Sequence, residues 1–336
     1  MKTSRLDSIL RAMAGQRVAV IGDLMLDRYV WGTAWRISQE APVPIVSVTR
    51  KSETPGGAAN VLHNLAKLGA KPMAFGVVGE DELAEHLSQL LTYDGVDTDA
   101  IVRDRSRRTT EKSRIMAGNQ QVVRIDTEDT QPIGKGPTAR LTQVFEEAVN
   151  AGRIDAVILE DYAKGVLTQD LAPTLCRIAR AADILVALDP HPANRFTLDG
   201  ITLATPNRTE AFAIAGEYDE GSTLAFEEDR ALARVAQKLH DMWSAEHLLI
   251  TLGAGGMGLF SQAGEPLHIS TQAREVFDVS GAGDTVIATF TLAQLAGATL
   301  SEACEMANHA AGIVVAKVGA ATVSADELRT SFEMSE

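Results

Sequence analysis

Cysteine is nearly missing from this chain. Only Cys176 and Cys304 occur in 336 residues, far apart and outside any C-x-x-C spacing. A disulfide framework or a structural zinc site is therefore not expected, and a reducing cytoplasm is. Basic charge is also short: 31 Lys and Arg stand against 45 Asp and Glu, a formal net charge of −14. That balance speaks against nucleic-acid binding, although local basic residues can still hold a phosphorylated small molecule. Long apolar runs are missing too. Gly, Thr and charged residues interrupt each one, so no membrane span is expected. Met1–Gln16 is polar and helical in pattern, without the apolar core of a secretory leader. The seven His are scattered, and no two stand at helical metal-ligand spacing. No Walker A sequence occurs, so any phosphate handling must rest on other residues.

What is present is 45% hydrophobic residues and a mean hydropathy of −0.01, the balance of a soluble globular protein. No internal repeat, low-complexity tract or inter-domain linker divides the chain, so residues 1–336 read as one domain. The most informative stretch is Asp278-Val279-Ser280-Gly281-Ala282-Gly283-Asp284-Thr285, followed by the apolar run Val286–Leu295. It reads as a glycine-rich turn opening a helix, where unpaired backbone N–H groups form an anion site. Asp284 stands at the mouth of that site. A carboxylate there repels an anionic guest, which is poor design for stability alone. It makes chemical sense if Asp284 takes a proton from an attacking hydroxyl while the amides of Gly281, Ala282 and Gly283 hold charge on a transferred group. The alternative is an acid that only complements the helix dipole.

Strand-like and helix-like segments alternate along most of the chain. Arg17–Ile21 is a short β-branched strand ending in Gly22-Asp23. Ala58–Leu68 is a helix after Pro55-Gly-Gly-Ala-Ala-Asn60. Met73–Gly79, Ala156–Leu159, Ile184–Leu188, Thr202–Ala204 and His247–Thr251 are strands. Helices are expected at Asp81–Leu91, Ala139–Val149 with Thr138 as N-cap, Asp170–Ala181, Thr209–Ala215, Glu227–Met242 and, closing the chain, Ser301–Lys317. Such alternation implies an α/β fold, a mainly parallel sheet with helices on both faces. Tyr29–Trp35 and Val43–Thr49 look instead like strands projecting from the main sheet. Arg107–Ile125, with a turn at Gly118-Asn119, extends the same small sheet. Asp23, Glu160, Asp161 and Asp189 each follow a strand, and ligands of open α/β sheets bind at that edge.

Two further motifs admit two readings each. Gly253-Ala-Gly-Gly-Met-Gly258 matches G-x-G-x-x-G, but Leu259-Phe260 and a hairpin follow where a dinucleotide fold needs a helix. It is read as a glycine loop, with Thr251, Gly253 and Gly256 as candidate nucleotide contacts. Asn207-x-x-Glu210 is either a helix cap with a first-turn acid or a pair of oxygen groups orienting Mg²⁺ through water near ATP phosphates.

Pro55–Asn60 and Asp278–Thr285 resemble the two signature regions of the ribokinase (PfkB) carbohydrate kinases. Asn207–Glu210 matches their N-x-x-E motif, and Gly22–Asp27 their N-terminal strand. Longer strings are similar to the D-glycero-β-D-manno-heptose-7-phosphate kinase subgroup: Gly22–Tyr29, Arg36–Pro44, Asn119–Arg124, Asp161–Gly165 and Val276–Thr285. The resemblance implies a ribokinase-like fold with a small β lid from about residues 29–49 and 109–125. It implies ATP-dependent phosphorylation of the heptose 7-phosphate at its anomeric oxygen, on the route to ADP-heptose and the lipopolysaccharide core. Asp284 becomes the general base. Asp27, Gly57, Asn60, Asn119, Arg124 and Lys164 become sugar-side contacts. Asn207 and Glu210 serve Mg-ATP, Asn308 lies at the adenine, and Asp278 marks a monovalent-cation (K⁺) position. A homodimer through the lid is implied as well.

The cations available for the sugar's own phosphate are Arg28, Arg36, Lys112, Arg114, Arg124 and Lys164. Two positions depart from the subgroup's pattern and leave the sugar phosphate open. His191-Pro192 follows Asp189-Pro190 where the subgroup has Lys-Gly, and Glu160 stands where a small residue is common. A fructose-1-phosphate-type kinase and a catalytically silent sugar sensor stay open as alternatives. The adenylyltransferase half of some relatives is not expected here, and a separate polypeptide is expected to carry that activity.

Overall fold

The structure is a computed structural model and describes residues 1–221, 224–273 and 276–334. Helix α1 (Thr3–Met13) leads into β1 (Arg17–Gly22), the run Arg-Val-Ala-Val-Ile-Gly. β1 is apolar at consecutive positions because both its faces are covered. Val18 and Val20 enter one core and Ala19 and Ile21 the other.

One residue later the chain leaves the main sheet through β2 (Leu24–Ile37) and returns through β3 (Pro44–Gly57), straight into α2 (Ala58–Lys67). β4 (Lys71–Gly79), α3 (Glu82–Tyr93) and the short β5 (Ile101–Asp104) follow, then the hairpin β6 (Thr110–Ala117) and β7 (Gln120–Thr127). The regular part is α4 (Lys135–Asn150), β8 (Ala156–Glu160), α5 (Leu171–Ala181), β9 (Leu185–Asp189), β10 (Leu203–Ala204), α6 (Arg208–Ala215), α7 (Arg230–Trp243) and β11 (His247–Thr251). β12 (Met257–Ser261) and β13 (Leu267–Ile269) precede α8 (Ala282–Leu295), α9 (Leu300–Val315) and α10 (Ala325–Glu333).

The main sheet has nine strands in the order β13-β12-β11-β10-β9-β8-β1-β4-β5, parallel except at the β11-β12-β13 edge. α1, α2, α3, α8, α9 and α10 cover one face, and α4 to α7 the other. The second sheet has four strands, β3-β2-β6-β7. It is rooted where β2 and β3 meet, with Leu24 opposite Gly57 and the Ala58 N–H donating to the Asp23 carbonyl at 3.2 Å. The lid strands thus begin and end beside the strand ends of the main sheet. Among the described residues, no helix is long and apolar enough to cross a membrane.

Several boundaries differ from expectation for local reasons. β2 and β3 are 14 residues each, longer than the projecting segments read from sequence, because they pair with each other. α4 starts a turn early, with Gly134 as N-cap. Thr138 is not the cap: it lies in the first turn and its hydroxyl donates to the Gly134 carbonyl at 2.9 Å. α9 does not close the chain. α10 follows it, started by a capping box in which Ser324 and Glu327 each accept the other's N–H.

Candidate active site

α8 opens at Gly281, whose φ of +77° is left-handed and suits glycine. A Cβ there would also lie 2.7 Å from the Asn60 side-chain nitrogen. The Ala282 N–H reaches back to the Val279 carbonyl at 3.3 Å. Gly281 and Gly283 N–H find no acceptor among the described residues. These are the free donors expected of a helix start.

Asp284, in the first turn of α8, is 4% exposed. Its Oδ2 accepts from Asn60 Nδ2 at 2.6 Å, and its Oδ1 from the Tyr162 hydroxyl at 2.8 Å. Burial pushes the Asp284 carboxyl above the usual aspartate range, and those two hydrogen bonds oppose the shift. Thr285 extends the tie, donating to Asn64 on α2 at 3.0 Å.

Tyr162 was not singled out as a site residue from sequence. It is held by Asp23, the acid at the end of β1. The Asp23 carboxylate accepts the backbone N–H groups of Tyr162, Lys164 and Val166 at 3.0, 3.0 and 3.1 Å. Asp23 therefore builds the loop after β8. That loop takes left-handed φ at Ala163 and Gly165, and a Cβ on Gly165 would overlap the Gln131 carbonyl. The signal was available in the string Asp-Tyr-Ala-Lys-Gly, but the loop's partner lies 139 residues away from Tyr162.

One oxygen from each of Glu160, Asp189 and Asp284 lies within 4.8 Å of the others. Glu160 and Asp189 are register partners at the ends of β8 and β9. Both carboxyls are driven well above the ordinary range, by burial first and then by neighbouring negative charge. Glu160 is thus brought beside Asp284.

All three acids line a cavity of about 660 Å³. Its walls include Gly281, Ala282 and Gly283, the predicted Asn207, Glu210, Thr251, Gly253, Gly256 and Asn308, and Tyr162. The glycine loop makes a tight reversal into β12: a Cβ on Gly256 would overlap the Ile269 carbonyl. No helix follows, as the sequence suggested. Asn207 and Glu210 form a capping box on α6, each side chain accepting the other's backbone N–H at 2.9 Å. The cap reading is thus correct for their geometry, and the same two residues also face the cavity. Asn308 donates to the Ser270 carbonyl at 2.6 Å, beside Ala311 and Gly312 on the wall.

On the lid side, Asp27 is 6% exposed and pairs with Arg114 Nη1 at 2.6 Å. Gly56 keeps that carboxylate close, since a Cβ there would lie 2.7 Å from Asp27 Oδ2. Paired residues of neighbouring strands share a face. Asp27 pairs with Lys112, Tyr29 with Arg114, and these with Asp126 and Arg124. Lys112, Arg114 and Arg124 therefore lie on the face that carries Asp27. Lys164 joins this group by its 2.8 Å contact with Glu128, which Lys112 also approaches. Arg28 is on the opposite face, bound to Glu53 and Glu111. Arg36 lies over the exposed Trp35 ring.

None of the six predicted sugar-side contacts, Asp27, Gly57, Asn60, Asn119, Arg124 and Lys164, lines this cavity. Asn119 sits at the exposed turn between β6 and β7, and Arg124 is exposed and paired with Asp126. Asp278 accepts the backbone N–H groups of Ser280 and Gly319 at 2.9 and 3.0 Å. It fastens the turn before α8 to the segment after α9.

A mainly parallel sheet with a glycine-opened helix at its strand ends and a small sheet rooted beside them is the ribokinase-like architecture. Solved structures share it. The chain superposes on phosphofructokinase-2 from Escherichia coli in complex with potassium with a TM-score of 0.76 at 19% identity, over 96% of this chain and 100% of that one. Arabidopsis thaliana ribokinase complexed with ribose and ATP gives 0.71 at 20% identity, over 95% and 99%. The model of the pfkB family carbohydrate kinases matches residues 16–327. The chain belongs to the pfkB family of carbohydrate kinases. It is 43% identical over 328 residues, 98% of its length, to the bifunctional protein HldE of Pelobacter propionicus, and 42% identical over 319 residues to that of Caulobacter vibrioides. It spans 65% and 64% of the length of those two relatives.

Proposed function

We propose that this chain transfers the γ-phosphoryl group of ATP to the anomeric oxygen of D-glycero-β-D-manno-heptose 7-phosphate, giving the 1,7-bisphosphate for ADP-heptose and lipopolysaccharide-core synthesis. The observation that carries phosphoryl transfer is the Asp284 carboxylate at the opening of α8, buried and gripped by Asn60 and Tyr162. The heptose is supported by the long strings shared with that subgroup and by relatives at about 40% identity named HldE.

In this mechanism the sugar hydroxyl gives its proton to Asp284 as its oxygen attacks phosphorus. The free amides at Gly281 and Gly283 stabilise charge on the transferring group. Asp27, Gly57 and Asn60 hold sugar hydroxyls. Lys112, Arg114 and Lys164 are the partly buried cations for the 7-phosphate, with Asn119 and Arg124 further out on the lid. Thr251, Gly253, Gly256 and Asn308 line the nucleotide end.

Bound Mg²⁺ would neutralise phosphate charge. Asn207 and Glu210 fit the ion as oxygen-bearing groups facing the cavity, acting through water because one acceptor of each serves the α6 cap. A K⁺ site near Asp278 is part of the same proposal. The exposed Ile37, Val48 and Val123 of the lid strands, with Val43 in the β2–β3 turn, support a lid-to-lid homodimer. The proposed setting is the cytoplasm.

An ATP-coupled assay across heptose 7-phosphate, fructose phosphates and free sugars tests the assignment. Turnover of heptose 7-phosphate well above the rest is expected. Preference for a fructose phosphate would move the substrate, and no turnover of any sugar would reject the kinase.

A further inference from the structure

Tyr29 of β2 is buried, at 6% exposure, and touches both halves of the site. On the sugar side, the Arg114 guanidinium stacks over its ring, 5.2 Å from the centroid, and the same guanidinium bonds Asp27 Oδ1. On the phosphoryl side, the phenol hydroxyl lies against the segment after α9. A Cβ on Gly319 would lie 3.0 Å from the hydroxyl oxygen, and the Ala320 N–H approaches that oxygen. Ala320 in turn packs on the turn that opens α8: a Cβ on Gly281 would lie 3.6 Å from its Cα. Asp278 clamps the same segment to the same turn through the N–H groups of Gly319 and Ser280. A continuous run of contacts therefore joins Asp27 to Gly281, and at Tyr29 it crosses from the lid to the main body.

We propose that Tyr29 is a positioning residue that couples Asp27 to the phosphate-holding amides of α8, so that a ligand at either end tightens binding at the other. The inference rests on the kinase reading for the identity of the two ligands. A sugar hydroxyl on Asp27 fixes Arg114 and the ring beneath it. A phosphate on the Gly281 and Gly283 amides fixes the turn, and with it Ala320. Each ligand orders part of the same run of contacts, so the second to bind has less left to order. Linkage makes the effect reciprocal: nucleotide tightens sugar by the factor with which sugar tightens nucleotide. The Tyr29 hydroxyl is the group that matters, since the ring by itself serves the Arg114 stack. Trp31 stacks on Tyr29 at 5.7 Å but donates its indole N–H to Ser52, within the lid. It borders the run of contacts without belonging to it.

The test is calorimetric titration of the full chain with heptose 7-phosphate and with a non-hydrolysable ATP analogue plus Mg²⁺, each alone and each with the other at saturation. In the wild type, each ligand should tighten the other by about five-fold or more. In Tyr29→Phe that factor should fall toward one, while either ligand alone binds nearly as in the wild type. Trp31→Leu should keep the factor, which separates the hydroxyl contact from a general loosening of the lid. Amide hydrogen exchange supplies a readout that needs no sugar. The ATP analogue alone should slow exchange at residues 27–31 of β2 in the wild type and not in Tyr29→Phe. A factor that survives Tyr29→Phe, or that is lost equally in Trp31→Leu, would overturn the proposal. So would a wild type that binds both ligands with a factor near one, a result that leaves the kinase standing. Should the analogue bind and the sugar not, the substrate assignment fails and the exchange readout decides the coupling. No binding of the analogue rejects the kinase and the coupling with it.

Discussion

Asn60 Nδ2 lies 2.6 Å from Asp284 Oδ2, joining residues 224 positions apart. The contact fastens the start of α2 to the start of α8, the two helices that follow the lid and the glycine turn. It also fixes the direction of a buried carboxylate. Asp284→Asn keeps the shape and removes the proposed base. The expected result is a fall in kcat of about 10²–10⁴ with nucleotide affinity nearly unchanged, measured by steady-state kinetics and ATP-analogue binding. Unchanged kcat would remove Asp284 from the chemistry.

Tyr162→Phe removes the donor to Asp284 Oδ1. That donor favours the ionised carboxylate, so its loss raises an already raised pKa. The acidic limb of the kcat profile should therefore move to higher pH, by on the order of one unit if the lost bond is worth ~1.5 kcal/mol. A uniform drop in rate with an unmoved limb would mean that Tyr162 only packs.

Gly281→Ala puts a side chain on a left-handed residue and drives its Cβ toward Asn60. The conformation alone costs about 1–2 kcal/mol. Melting temperature should fall by a few degrees, and kcat should fall as well because Asn60 is displaced from Asp284, the proposed base. Asn60→Ala in the same background should then cost much less activity than it does alone, a coupling that a double-mutant cycle reads.

Asp161 gives a pH dependence of stability. It is 5% exposed, and burial pushes its carboxyl up to about 7 despite donors from Ala163 and Asn194. An unfolded aspartate titrates near 3.9, so folding takes up a proton between these values. The stabilisation is complete below about 4 and is lost as pH rises through about 7. Asp161→Asn does not titrate. Its melting temperature should gain on that of the wild type from pH 5 to pH 8, and a constant difference would reject the burial account.

Much of this was legible in the sequence because it is local. Gly281–Asp284 declares a helix start, Arg17–Ile21 a central strand, and Gly118-Asn119 a hairpin turn. The glycine loop at Gly253 lacks a following helix, which was enough to set aside a dinucleotide site. What escaped depends on distant partners. Tyr162 acquires its role only through Asp23, and Glu160 meets Asp189 only when β8 and β9 align. Asn207 and Glu210 combine both readings, since a cap and a cavity wall can use the same two side chains. For the sugar phosphate, composition offered six cations and no way to rank them. Strand register separates them by face, which no local pattern encodes.

That separation makes the last prediction sharp. Lys164 is partly buried beside Glu128, on the side of the lid that carries Asp27, whereas Arg28 is tied to Glu53 and Glu111 on the other. Lys164→Ala should raise KM for the phosphosugar by about ten-fold or more, the effect of losing one charge-assisted contact of ~1.5–3 kcal/mol, with KM for ATP little changed. Arg114→Ala should do the same, with an added loss of kcat because Asp27 loses its partner. Arg28→Ala should alter neither KM. A phosphate contact disappears when the phosphate does, so the Lys164 effect should vanish with an unphosphorylated heptose as acceptor. Equal changes in both KM values, or an effect that persists with the free sugar, would assign Lys164 to holding Glu128 in place and not to holding substrate.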